Sequence, residues 1–195
     1  VFVLFGLTFW GFFSGALTRA GNSFIENEQL VKKVYFPREI LTFSSVVTSF
    51  VDFFISLLMM AVVIAYYQLP LNLLFIAVML LGIIVTAISS AGAGLFLASL
   101  NIKYRDVRYI IPFFLQLLIF VSPVIYPLSI VRSSFQYILA LNPMTGVIDS
   151  LRSTLSSGII THPDMLAISC LSATLLFIIG LVYFRKTERY FADII

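Results

Sequence analysis

Long uncharged apolar runs, separated by short charged stretches, set the plan of this chain. No Asp, Glu, Lys or Arg stands between Phe53 and Ile102, between Tyr109 and Val131, or between Met165 and Phe184. A helix crosses the hydrocarbon core with about 20 apolar residues. The runs are long enough for that, and too uninterrupted for the alternating strands of a barrel. The pattern predicts an all-α membrane bundle with spans over residues 1–17, 40–66, 71–100, 109–124 and 165–184. A polar stretch (19–39), a break at Gln68, Pro70 and Asn72, a charged loop (101–108) and a semi-polar stretch (126–164) separate them.

Composition agrees with this plan. The 195 residues are 61% hydrophobic and 11% charged, with a mean hydropathy of +1.07. Soluble domains carry about 25% charged residues. The net charge of +3 is a matter of topology and does not point to nucleic acid. Counted by side of the membrane, Arg19, Lys32, Lys33, Arg38, Lys103, Arg105, Arg108, Arg185, Lys186 and Arg189 fall together, against Arg132 and Arg152. The positive-inside rule then puts 19–39, 101–108 and the C-terminal tail in the cytoplasm and 126–164 outside. Five spans so oriented begin outside. The chain also opens on Val1 within an apolar run, so the expectation is a fragment of a six-span protein.

Residues 22–35 read as a surface helix, with Leu30, Val31, Val34 and Tyr35 on one face. Pro37 then breaks it and restricts Phe36. Two readings fit: a docking helix for a cytoplasmic partner, or an interfacial helix resting in the headgroups. Asp52 lies about a dozen residues into the second span, where a carboxylate costs about 2.5–3.5 kcal/mol on insertion scales. It must face the bundle interior or water, or be protonated. It is a pathway or switch residue, or a structural partner of a nearby Ser or Thr.

Small residues favour close helix contact in lipid, and Gly11 with Gly15, or Ser90 with Gly94 and Ala98, are candidate stripes for packing within the bundle or for a dimer seam. In the outer stretch, Pro123, Pro127 and Asn142-Pro143 punctuate apolar pieces too short to span. A re-entrant hairpin fits, as does a pair of short helices on the outer leaflet. Phe9, Trp10, Phe12 and Phe13 cluster in the first span and are candidates either for an interfacial belt or for lining a passage.

The chemistry expected is that of a transporter without catalytic residues. The chain has no nucleotide-binding G-x-x-x-x-G-K-[ST] loop and no H-E-x-x-H zinc motif. Cys170 is the lone cysteine, so neither an internal disulfide nor a metal cluster is expected. His162, the single histidine, reads as a loop residue. No pair of ionisable groups is spaced for acid/base work.

Several segments resemble, in order, those of the ABC-2 type permeases that export polysaccharides. They are Leu30-Val31-Lys32-Lys33-Val34-Tyr35-Phe36-Pro37-Arg38-Glu39, Asn101-Ile102-Lys103-Tyr104-Arg105-Asp106-Val107-Arg108-Tyr109, Ser122-Pro123-Val124-Ile125-Tyr126-Pro127 with Leu141-Asn142-Pro143-Met144, and Arg185-Lys186-Thr187-Glu188-Arg189-Tyr190-Phe191-Ala192-Asp193. The likeness runs over essentially the whole chain, as one transmembrane domain (1–195). It implies a homodimeric permease of a bacterial inner membrane, paired with two copies of a separate ATP-binding subunit that holds ATP and Mg. The substrate implied is a lipid-linked glycan such as O-antigen, capsule or teichoic acid. Residues 32–38 would be the coupling helix, Lys103, Tyr104, Arg105 and Asp106 the second cytoplasmic loop, and Pro123, Tyr126, Pro127, Asn142 and Pro143 parts of the outward hairpin. An amphipathic helix and a first span are expected upstream. The competing expectations are an exporter of a drug or small lipid, a membrane-embedded glycan-processing enzyme, and a non-transporting assembly factor.

Overall fold

A computed structural model describes residues 2–34, 36–104 and 106–188. Eight α-helices account for most of them: α1 (Phe2–Glu26), α2 (Glu28–Lys33), α3 (Glu39–Tyr66), α4 (Leu73–Lys103), α5 (Val107–Val121), α6 (Ser133–Ala140), α7 (Pro143–Ser157) and α8 (Pro163–Glu188). A single 3₁₀ turn, Leu128–Ile130, precedes α6. Among the described residues there is no strand.

Four helices, α1, α3, α4 and α8, are long and apolar enough to cross a membrane. The fourth of the five expected spans is α5, with 15 residues. At 1.5 Å per residue it reaches roughly 22 Å, short of a full hydrocarbon core. Pro112 lies inside it and removes one intrahelical donor.

The first span is longer than expected. The polar residues Thr18, Arg19 and Asn22 do not end it, and α1 runs on to Glu26. The anticipated surface helix over 22–35 shrinks to α2, six residues with none buried. The tight break before α4 is as expected, with Gln68 in the left-handed region at φ 49°. The loop of residues 101–108 shortens, because α4 continues to Lys103 and α5 starts at Val107.

The core is built from α1, α3, α4, α7 and α8. Lipid tails are as apolar as Leu, so packing and hydrogen bonds, rather than escape from water, hold such helices together. Small residues set the close crossings. Gly92 of α4 and Gly180 of α8 meet backbone to backbone, Gly94 receives Ala20 of α1, and Gly146 of α7 lies against the Met165 carbonyl. The expected stripe of Ser90, Gly94 and Ala98 is indeed buried. Gly11 and Gly15 are different: nothing lies within 4 Å of where their Cβ atoms would stand. Their face of α1 is open.

Phe9, Trp10, Phe12 and Phe13 are 0–6% exposed. Phe9 and Phe12 pack on Phe53 with ring centroids 5.4 and 4.9 Å apart. Phe9 and Phe12 thus form part of the α1–α3 contact, while Trp10 packs on Phe13 at 5.6 Å. Exposed aromatic side chains include a group on α5, at Tyr109, Phe113, Phe114 and Phe120. Only Ile111 and Leu115 of that helix are buried.

The two ends of the bundle and the charged pair between them

The first candidate region is the basic end, where α1, α3, α4 and α8 meet. Phe24, Leu41, Leu95, Ala98, Ile102 and Phe184 make a separate apolar cluster there, with Val31 and Phe36 packed against it. Asn101 donates to the Gly21 carbonyl at 3.0 Å and to Asn22 Oδ1 at 3.2 Å, closing the α1–α4 junction. Val34 is extended, and α3 resumes just past Pro37. Arg38 Nη1 donates to the Glu188 carbonyl at 3.2 Å, and Arg185 Nε donates to Glu39 Oε1 at 2.9 Å. The Pro turn is therefore fastened to the last turn of α8. Lys32, Lys33, Val34, Phe36 and Arg38, with Val31, line an open cleft of about 260 Å³. Lys32 pairs with Glu28 at 2.6 Å one helical turn away, which leaves the cleft basic. Tyr35 lies outside the described residues.

The short loop between α4 and α5 belongs to the same end. Lys103 lies over the Tyr104 ring at 5.1 Å, and Arg108 over the Tyr109 ring at 4.6 Å. Asp106 occupies the N-cap position of α5 without a side-chain cap. Arg105 is outside the described residues.

The opposite end is organised by a residue the sequence did not single out for a site. Arg152 of α7 is 8% exposed. Its Nε donates to the Phe2 carbonyl at 3.0 Å, Nη1 to the Pro123 carbonyl at 2.6 Å and Nη2 to the Val124 carbonyl at 2.5 Å. A longer contact of 3.4 Å reaches the Tyr126 carbonyl, and the guanidinium lies 3.6 Å from the Phe2 ring centroid. Five N–H donors in a rigid plane suit this role, since α5 ends at Val121 and the extended turn after it leaves carbonyls without helical partners. Gly6 makes the space: a Cβ there would stand 2.6 Å from the Val124 carbonyl oxygen and 2.7 Å from Arg152 Nη2. The local signal is an arginine within a Ser- and Thr-rich helix away from the basic side. In the charge count it served only as an outward tally.

Asn142 fastens the same region. Its Oδ1 caps α7 by accepting from Met144 N at 3.1 Å, while Nδ2 donates to Ser122 Oγ at 2.5 Å. Pro143 occupies the first turn, where its missing N–H costs nothing. Helix α7 ends at Gly158, whose φ of 73° only glycine adopts freely. All residues from Pro143 to Leu155 except Asp149 are buried. The stretch of residues 126–164 thus packs into the bundle through α7. Helix α6 is the exposed limb, with Phe135, Tyr137 and Ile138 outward. Pro123 and Tyr126 present their carbonyls to Arg152. Pro127 precedes the 3₁₀ turn, and burial pushes the Tyr126 phenol above its usual range. His162 Nδ1 lies 3.0 Å from Asp149 Oδ2.

Between the two ends stands Asp52. It is ion-paired with Arg19 of α1, and Arg19 Nη1 also reaches Ser49 Oγ at 3.4 Å. The structural reading of Asp52 expects a nearby Ser or Thr, and the partner is instead an arginine on another helix. Arg19 opens the polar stretch of residues 19–39, and α1 carries it as part of the helix. Among the described residues no cluster of His, Cys, Asp or Glu could hold a metal.

Comparison with known proteins fits this architecture. The O-antigen export system permease protein RfbA of Klebsiella pneumoniae is 26% identical over 195 residues, covering 100% of this chain and 75% of that protein. The protein of the same name from Myxococcus xanthus is 30% identical over 195 residues, covering 97% of this chain and 74% of its own length. Residues 1–156 match the ABC-2 type transporter family. A helical bundle with four apolar helices of membrane-spanning length, and a family match over most of its length, make this chain a multi-pass membrane transport subunit that belongs to the ABC-2 type transporter family.

Proposed function

We propose that this chain is the permease subunit of an ATP-driven exporter, moving lipid-linked polysaccharide from the cytoplasmic to the outer face of a bacterial inner membrane. The observation that carries this is the extent of the similarity. Permeases named for O-antigen export align with 97–100% of the chain, so the basic end, the outer hairpin and α8 are all included. The family match alone would fit an exporter of a drug or small lipid equally well.

The geometry supports a division of labour. The basic end is cytoplasmic, and its cleft around Lys32, Lys33 and Arg38 receives a separate ATP-binding subunit. Two copies of each subunit assemble, with ATP and Mg held by the partner. Arg38 and Glu39 are tied to α8, so a push on α2 and the Pro turn is delivered to a long helix that packs on α4 and α7. Such a permease needs two arrangements of packed helices, whose balance the partner's nucleotide state shifts. The Arg152-fastened hairpin closes the outer end.

Deleting the intact gene and following the surface glycan tests this directly. Lipid-linked glycan accumulating on the cytoplasmic side, with none at the surface, is the expected result. Loss on both sides would identify a synthetic enzyme instead. Unchanged surface glycan would point to a small-substrate exporter or an assembly factor.

A further inference from the structure

The exposed faces of α3 are chemically segregated. Val47, Val51, Phe54, Ile55, Leu58 and Val62 form an apolar arc, each about 60% exposed, as a lipid-facing surface requires. Beside it, at spacings of three and four residues, come Ser45, Ser49, Asp52 and Ser56: Ser49 is buried against α1, and Ser45, Asp52 and Ser56 form the polar strip at its edge. The neighbouring open face of α1 carries Gly11, Ser14, Gly15 and Thr18.

Depth makes this strip unusual. Asp52 is thirteen residues from Glu39, the start of α3, hence roughly 20 Å along the axis. That is the middle of the helix. The serine and threonine hydroxyls satisfy themselves on their own helices, as Thr18 does with the Ser14 carbonyl at 2.8 Å and Ser56 with the Asp52 carbonyl at 3.0 Å. They could face lipid. The ion pair could not: the side chains of Arg19 and Asp52 are 42% and 63% exposed, and ionised groups within a bilayer face the bundle interior or water.

We infer that this strip of α1 and α3 faces water and is a wall of the polar passage, where the Arg19 guanidinium and Asp52 carboxylate exchange hydrogen bonds with the hydroxyls of a passing glycan. A carboxylate accepts from sugar O–H groups and a guanidinium donates to sugar oxygens, so the pair offers both halves of that recognition at one depth. The glycan part rests on the export reading above. The hydrated wall does not.

The test is cysteine accessibility in the intact permease, assembled with its ATPase in native membranes and carrying Cys170→Ser as background. Ser14→Cys and Ser56→Cys probe the strip, and Val51→Cys and Leu58→Cys probe the apolar arc. The probe is a cationic methanethiosulfonate. Strip positions should react at least about tenfold faster than arc positions, since the charged reagent is excluded from hydrocarbon. Equal rates would overturn the inference. So would Ser14→Cys forming a disulfide between two copies while resisting the reagent, because the strip would then be a direct protein contact. Export is read in the same strains through surface glycan. A reactive strip in a protein that moves no glycan would sink the export reading and leave the hydrated wall standing.

Discussion

Gly180 of α8 lies directly against Gly92 of α4: a Cβ on Gly180 would stand 1.9 Å from the Gly92 carbonyl oxygen, and one on Gly92 would stand 2.3 Å from the Phe177 Cα. Neither neighbour is a flexible side-chain tip, so neither can yield without moving a helix. This crossing fixes the most extensive helix pairing in the bundle. It also sets how α8, tied to the Pro turn at its far end, sits on the core.

Gly180→Ala and Gly92→Ala should therefore each destabilise the protein by about 1–3 kcal/mol or more, the range for forced overpacking. Gly11→Ala and Gly15→Ala, with open space around them, should be nearly neutral. Thermal unfolding in detergent, followed on the four variants side by side, reads this contrast. Equal losses at all four positions would contradict the assigned crossing.

Arg152 is held by backbone carbonyls of α1 and the turn after α5, so its removal strands several buried acceptors. Arg152→Ala should cost about 2–4 kcal/mol, more than one neutral hydrogen bond, because the bonds are charge-assisted and the carbonyls lose their partner. Arg152→Lys should recover only part, having no planar fork. Gly6→Ala should mimic a mild version by pushing on Val124 and the guanidinium. Protease sensitivity of the outer stretch is the direct measurement. Resistance unchanged from the parent would rule out the latch.

The Arg19–Asp52 pair can be separated from its individual charges. Asp52→Ala and Arg19→Ala each leave one unpaired charge at mid-helix, and both should lose export. The double exchange Arg19→Asp with Asp52→Arg should restore a substantial fraction, at least about tenfold over either single exchange, if pairing is what matters. No rescue by the double exchange would show that each group is needed in its own position.

At the basic end, the contact between Arg185 and Glu39 is solvent-exposed on the arginine side, so it contributes at most about 1 kcal/mol to stability. Arg185→Gln and Arg38→Ala are expected to leave the fold intact. In the assembled exporter they should uncouple ATP hydrolysis from glycan movement. Export at parental rates with unchanged stimulation of the ATPase would refute this role.

Asn142 serves α7 twice, as its N-cap and as a tie to Ser122. Asn142→Ala should cost about 1 kcal/mol for the cap, and somewhat more with the lost tie. Ser122→Ala should cost less, since it leaves the cap in place. A larger effect from Ser122→Ala would mean that the tie, rather than the cap, positions α7.

Much of this was legible in the residue order. Long apolar runs, broken only by Asp52 in α3, mark α3, α4 and α8 because a lipid-facing helix has to be apolar along nearly its whole length, whatever it packs against. The sided distribution of Lys and Arg, the Pro37 turn and the Asn142-Pro143 helix start are equally local, set by solvation and backbone geometry within a few residues. What no local pattern contains is which faces meet. Arg19 opens a polar stretch in the sequence and in the structure is the partner of Asp52, thirty-three positions away, because α1 continues for two more turns. Phe9, Trp10, Phe12 and Phe13 suit a belt or a passage by position alone, and only the tertiary structure buries all four, with Phe9 and Phe12 on Phe53. Gly11 and Gly15 carry the standard packing spacing yet face open space, while Gly92 and Gly180, far apart in the chain, make the tight crossing. Spacing states what a helix face can do, and only the neighbour that arrives there decides what it does.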